Sequence, residues 1–287
     1  MSESADATSQ GTSPRLGLAE GILIPVVAYL VSTVVTLLVF SAVSAKASTA
    51  ISSAALLAVS YALVSKAVSS PLRCVGLRGV RPRLVLYSVV ASFALILPAM
   101  SLEAVFMSRF EIPQDWVEYL NEIVRAGSVR ELIYAWVVAA LLAAISEEFV
   151  FRGVLQNSLT TRLPGWLAVV LVSGVFAALH TWRFAVAFVL GLFLGFLYLR
   201  TRSLLTSVIA HLAINSVVVF ATYVVEKKGE AYLPAWVKEE KPAPALMIAV
   251  SICIFFLLMA QVWKLTSGTP EEPVSPYSGE RHTVDIV

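Results

Sequence analysis

Five side chains stand where an apolar sequence has no reason to put them. Glu147, Glu148, Arg152, His180 and His211 all lie inside long hydrophobic runs, with Asn215 as a milder companion. A charged group at the centre of a bilayer costs at least ~2.5–3.5 kcal/mol on insertion scales, so each needs a partner or a task. The chain has 3 histidines, and two belong to this set; His282, in the polar C-terminal segment, receives no role. Helical spacing sorts the group. Glu148 and Arg152 are an i, i+4 pair, carboxylate N-terminal to cation, and a structural ion pair accounts for both. Glu147 is rotated about 140° from Arg152 on an α-helix and is left without a local partner. Phe176 with His180, and His211 with Asn215, repeat the i, i+4 spacing. An unpaired carboxylate near imidazoles is the material of general acid–base chemistry. Glu147, His180 and His211 also make up a His2Glu set of the kind that holds catalytic zinc, although no HExxH helix is present. No serine or cysteine has a base beside it, which disfavours a covalent nucleophile.

These residues need elements that hold them at one depth. The composition states what those elements are. Hydrophobic residues are 58% of the 287 and charged residues 14%, against roughly 25% charged in soluble domains. Apolar runs lie at 21–44, 48–68, 84–106, 131–151, 166–182, 184–199, 203–225 and 245–263. Each approaches the ~20 residues that cross a hydrocarbon core. The runs are continuous rather than alternating, so helices, not a barrel, satisfy the backbone in lipid. The expected fold is an all-α polytopic bundle of about eight transmembrane helices over 20–264, between disordered tails at 1–19 and 265–287. Gly191 and Gly195 form a small-xxx-small pair suited to close helix contact. Counting at 1.5 Å per residue puts Glu147, His180, His211 and Asn215 at about 20, 22, 14 and 20 Å from one membrane face. A shared site on three helices is therefore geometrically possible.

Charge orients the bundle and excludes some partners. Arg73, Arg78, Arg81 and Arg83 crowd one loop, and Arg200 and Arg202 another; the positive-inside rule puts both in the cytoplasm, together with both termini of an eight-span chain. A net charge of +2 without a basic, aromatic-interleaved patch gives no sign of a nucleic-acid partner. Cys74 and Cys253, the 2 cysteines, exclude a disulfide framework and a cysteine-built metal site.

Glu147-Glu148-Phe149-Val150-Phe151-Arg152-Gly153 resembles the EExxxR signature of the CAAX prenyl protease and bacteriocin-processing (CPBP, Abi) family of intramembrane proteases. Phe176–His180 is similar to its FxxxH motif and His211–Asn215 to its HxxxN motif, so the resemblance covers roughly 130–220. It implies hydrolysis of a peptide bond by an activated water. Glu147 with His180 would deprotonate the water and return the proton to the leaving amine, and His211 with Asn215 would face the oxyanion. Glu148 and Arg152 would keep the helix in register, and Phe176 would pack the helix that carries His180. No cofactor is expected, because a metal would take up Glu147, the best base; the alternative is a zinc enzyme ligated by Glu147, His180 and His211, as the family's frequent label of metalloprotease implies. The expected partners are the bilayer and a membrane-associated peptide or protein, with a prokaryotic-type processing or immunity role implied more than cleavage of a prenylated terminus. A non-proteolytic transporter or scaffold is the reading from another class. Against transport, the sequence shows no internal repeat and no matching pair of broken helices.

Overall fold

The computed structural model describes residues 15–239 and 241–267. Most of both expected tails, His282 included, lies outside them; Leu18, Ala19, Leu265 and Thr266 are already helical. Nine helices longer than one turn make up the described chain, and it contains no strand: α1 (Leu18–Val39), α2 (Ala45–Ala67), α3 (Pro82–Met107), α4 (Gln114–Val124), α5 (Val129–Leu159), α6 (Gly165–Leu179), α7 (Phe184–Thr201), α8 (Leu204–Lys228) and α9 (Ala245–Thr266). The protein is an all-α polytopic membrane protein.

Among the described residues, 7 helices are long and apolar enough to cross a bilayer, not the eight expected. The difference is α6, whose 15 residues cover only about 22 Å at 1.5 Å per residue, short of a hydrocarbon core of about 30 Å. It turns back into α7 through a single 3-10 turn, Thr181–Arg183.

Local chemistry sets the element ends. Ser44 and Ser128 each accept a backbone N–H at the start of α2 and α5, from Ala47 and Glu131. Glu131 returns the arrangement by accepting the Gly127 N–H, a variant of the capping box. Arg202, at φ 52°, ends α7 in the left-handed region.

The eight longer helices other than α4 alternate in direction, and hydrogen bonds tie each end together. At one end, Leu204 N–H donates to the Gly76 carbonyl, Asn157 Nδ2 to Cys74, Ser203 Oγ to Arg78 and Arg81 to Leu265. The arginines of both basic loops lie here. At the other end, Ala45 N–H donates to Glu122, Arg125 pairs with Glu226, and Ala243 N–H donates to Ser101. Small residues bring the helices close. A Cβ on Gly153 would stand 2.8 Å from Val75 Cβ, and one on Gly191 would stand 2.9 Å from Ser173 Cβ. Large apolar side chains face outward on α1 and α9, as a lipid solvent permits. The polar interior lies between α5, α6, α7 and α8.

Candidate active site

α5 is not a plain α-helix. Its turns are π-helical over Val137–Leu142 and again over Phe149–Gln156, with an α-helical stretch, Ala143–Glu148, between them. A π turn closes i→i+5 hydrogen bonds and carries an extra residue, shifting the phase of every side chain beyond it. Periodicity in an all-apolar run cannot reveal this, which is why the spacing argument treats the segment as uniform. α8 locks the first π turn: Asn215 Nδ2 donates to the Ala139 carbonyl at 3.2 Å, and Trp136 Nε1 donates to Ser216 Oγ at 2.8 Å.

Between the π turns lie the two carboxylates, and their surroundings differ. Glu148 is fully buried. Its Oε1 accepts two hydrogen bonds, from Arg152 Nη1 and from His211 Nδ1, each 2.9 Å long. Arg152, also fully buried, donates Nη2 to the Gly191 carbonyl at 3.3 Å and sets its guanidinium 4.8 Å from the centre of the Phe176 ring. Glu147 keeps 22% of its side chain exposed and turns Oε2 to within 3.8 Å of His211 Nε2. Adjacent carboxylates thus address opposite nitrogens of one imidazole.

Hydrogen bonding fixes the tautomers of both rings. A carboxylate and a carbonyl can only accept, so His211 donates from Nδ1 to Glu148, and His180 donates from Nδ1 to the Phe176 carbonyl at 2.7 Å. In each neutral ring the Nε2 lone pair is free. His180 sits just past the last turn of α6, half-buried, its ring 4.3 Å from that of Phe176. Phe176 in turn meets Phe151 edge-on at 5.0 Å and His211 at 6.2 Å. One aromatic ring therefore touches the guanidinium and both imidazoles.

The structure brings Glu147, Glu148, Arg152, Phe176 and His211 into one cluster and adds His180 through Phe176. Asn215 stands one turn from His211 and has one amide N–H committed to α5. Glu147 makes no ion pair with His180 among the described residues; its imidazole partner is His211. Among the described residues, no group of three His, Cys, Asp or Glu is gathered as a metal shell would be. Two further groups lie outside the motif residues. The Gly191 carbonyl is an acceptor with no side-chain signature. Glu103, a buried carboxylate in the apolar run of α3, carries the same signal as Glu147: a charge with no reason to be there.

Residues 129–217 match a family model described as type II CAAX prenyl endopeptidase, Rce1-like. No curated protein and no solved structure matches the chain. The matched segment holds every motif residue of the cluster, from Glu147 to Asn215.

Proposed function

From the premise that residues 129–217 carry the core of a CPBP-family intramembrane protease, we propose that this chain hydrolyses a peptide bond with a water activated by Glu147 and without a metal. The observation that carries this reading is the 3.8 Å separation of Glu147 Oε2 and His211 Nε2. That gap is too long for a direct hydrogen bond, yet one water can touch both atoms at about 2.8 Å. Glu147 is the carboxylate that water can reach; Glu148 is sealed and already accepts two bonds.

Glu147 takes one proton from the water while the His211 Nε2 lone pair accepts the other O–H as a hydrogen bond. The water oxygen attacks the peptide carbonyl carbon and forms the C–O bond. The free N–H of Asn215 faces the resulting oxyanion. Glu147 then delivers its proton to the leaving nitrogen as the C–N bond breaks, with the His180 Nε2 lone pair holding that amine N–H in line. Glu148, through its bond to Nδ1, keeps the His211 lone pair aimed at the water.

The substrate in this reading is a membrane-associated peptide or protein, reached from the bilayer, and the basic end of the bundle with both termini faces the cytoplasm. The test is cleavage of a membrane-tethered peptide library by purified protein in lipid vesicles, with and without chelator. We expect products from the wild type, retained in chelator and absent with Glu147→Gln. Loss in chelator and return with zinc would overturn the metal-free form. No cleavage of any tethered peptide would overturn the protease reading.

A further inference from the structure

Far from the basic end, α3 carries Glu103, a carboxylate 8% exposed, with Leu102, Ala104, Val105 and Phe106 around it in sequence. Its two oxygens act on one short piece of chain. Oε2 accepts the N–H of Val186, in the first turn of α7, at 3.0 Å. Oε1 lies 3.2 Å from Arg183 Nε in the turn between α6 and α7, an ion pair rather than an aligned hydrogen bond. That turn begins at His180. The Arg183 N–H donates to the His180 carbonyl at 3.0 Å, so Arg183 is bonded through its backbone to His180 and through its side chain to Glu103.

The turn is not relaxed. Thr181, the residue after His180, has φ 50°, a left-handed conformation that β-branched residues avoid. Strain of this kind persists only where surrounding contacts impose it. Glu103 supplies two such contacts, and a charge placed in an apolar run for capping alone would be an expensive choice where a serine would serve.

We infer that Glu103 is a positioning residue: it clamps the strained 181–183 turn and thereby fixes the His180 imidazole against Phe176. The catalytic consequence rests on the proposed role of His180; the geometric one does not. Histidine is scarce here, so selectively labelled rings give few signals, and the His180 ring is identified by its loss in His180→Gln. We expect Glu103→Gln to shift or broaden the His180 ring-nitrogen signals while those of His211 stay in place, and Arg183→Ala to reproduce the change. For a tethered peptide that the wild type cleaves, kcat should fall about 10–10²-fold in Glu103→Gln with KM nearly constant, as expected for a misplaced group. Thr181→Gly in that background should recover part of kcat, because glycine adopts the left-handed conformation without strain. Unchanged His180 signals in folded Glu103→Gln protein, or equal changes at His180 and His211, would overturn the clamp. A wild type that cleaves nothing sinks the protease reading instead, and the ring signals still decide the clamp.

Discussion

His211 donates its Nδ1 proton to Glu148 Oε1 at 2.9 Å, and that bond decides where the other face of the ring looks. With Nδ1 committed, Nε2 is turned on Glu147. A histidine bonded to Glu148 and facing its neighbour Glu147 ties α8 to α5 at the point where the carboxylates diverge in exposure.

Glu148 and His211 should therefore behave as one unit. Glu148→Gln and His211→Ala should each lower kcat strongly, and the double variant should be little worse than either, as for groups that act together. A double-mutant cycle on a verified substrate reads this. Full additivity would separate the two.

Glu147→Gln should leave folding intact, because the side chain is partly exposed and makes no short hydrogen bond. Turnover should drop by about 10²–10⁴, the contribution of a general base. The roles of the two carboxylates would have to be exchanged if this variant cleaved normally while folded Glu148→Gln was dead.

Arg152→Ala should show itself first as instability. The guanidinium is fully buried against Glu148, and removing one partner of such a pair typically costs about 3–5 kcal/mol. Yield and melting temperature should fall together. Pairing Arg152→Met with Glu148→Gln should recover part of the stability, since no buried charge is then left alone. A melting curve for Arg152→Ala that overlays the wild type would contradict the burial argument.

Gly191→Ala tests how closely α6 and α7 must approach. Its Cβ would stand 2.9 Å from Ser173 Cβ and 3.0 Å from Ser173 Cα, so backbone has to move. Overpacking of this kind costs about 1–3 kcal/mol, and here it also displaces the carbonyl that Arg152 uses. At Gly195 the new atom meets the tip of Gln156 and a Val169 methyl, both side-chain groups. Gly195→Ala should be the milder change, and the order of the two melting temperatures checks it.

A reporter that works only in the cytoplasm, fused after Val287, should be active. The Arg-rich ends of α7 and of the α2–α3 loop are bonded to each other, and α1 starts, while α5 and α9 end, on the same side. A reporter active only outside would reverse the orientation.

Much of this was legible in the residues because lipid is a demanding solvent. Charges inside apolar runs announced Glu147, Glu148, Arg152, His180 and His211, and i, i+4 spacing announced the Glu148–Arg152 pair, found at 2.9 Å. Hydropathy alone overstated α6, since its apolar run continues through a turn at His180 into α7. The partner of Glu147 was not legible either. Spacing on an ideal α-helix gives angles within one element, whereas the choice between His180 and His211 depends on how α6 and α8 pack and on π turns that leave no mark in sequence. Glu103 was readable by the same cost argument, but its partners lie 80 and more positions away and share no motif with it.

The first π turn of α5 makes chain length itself part of the chemistry. A π turn holds one residue more than the α turn it replaces, so α5 behaves as a helix with a spare residue between Ser128 and Glu147. Deleting one of residues 137–142 would let that stretch relax to the ordinary pitch, with no atom removed from the cluster. Because the turn already holds the surplus residue, everything beyond would keep its phase, and Glu147 and Glu148 would stay on the two nitrogens of His211. A protein shortened by one alanine here should insert, remain helical and keep the cleavage expected of it, whereas one further residue inserted at 137–142 should rotate the carboxylates by about 100° and abolish that cleavage.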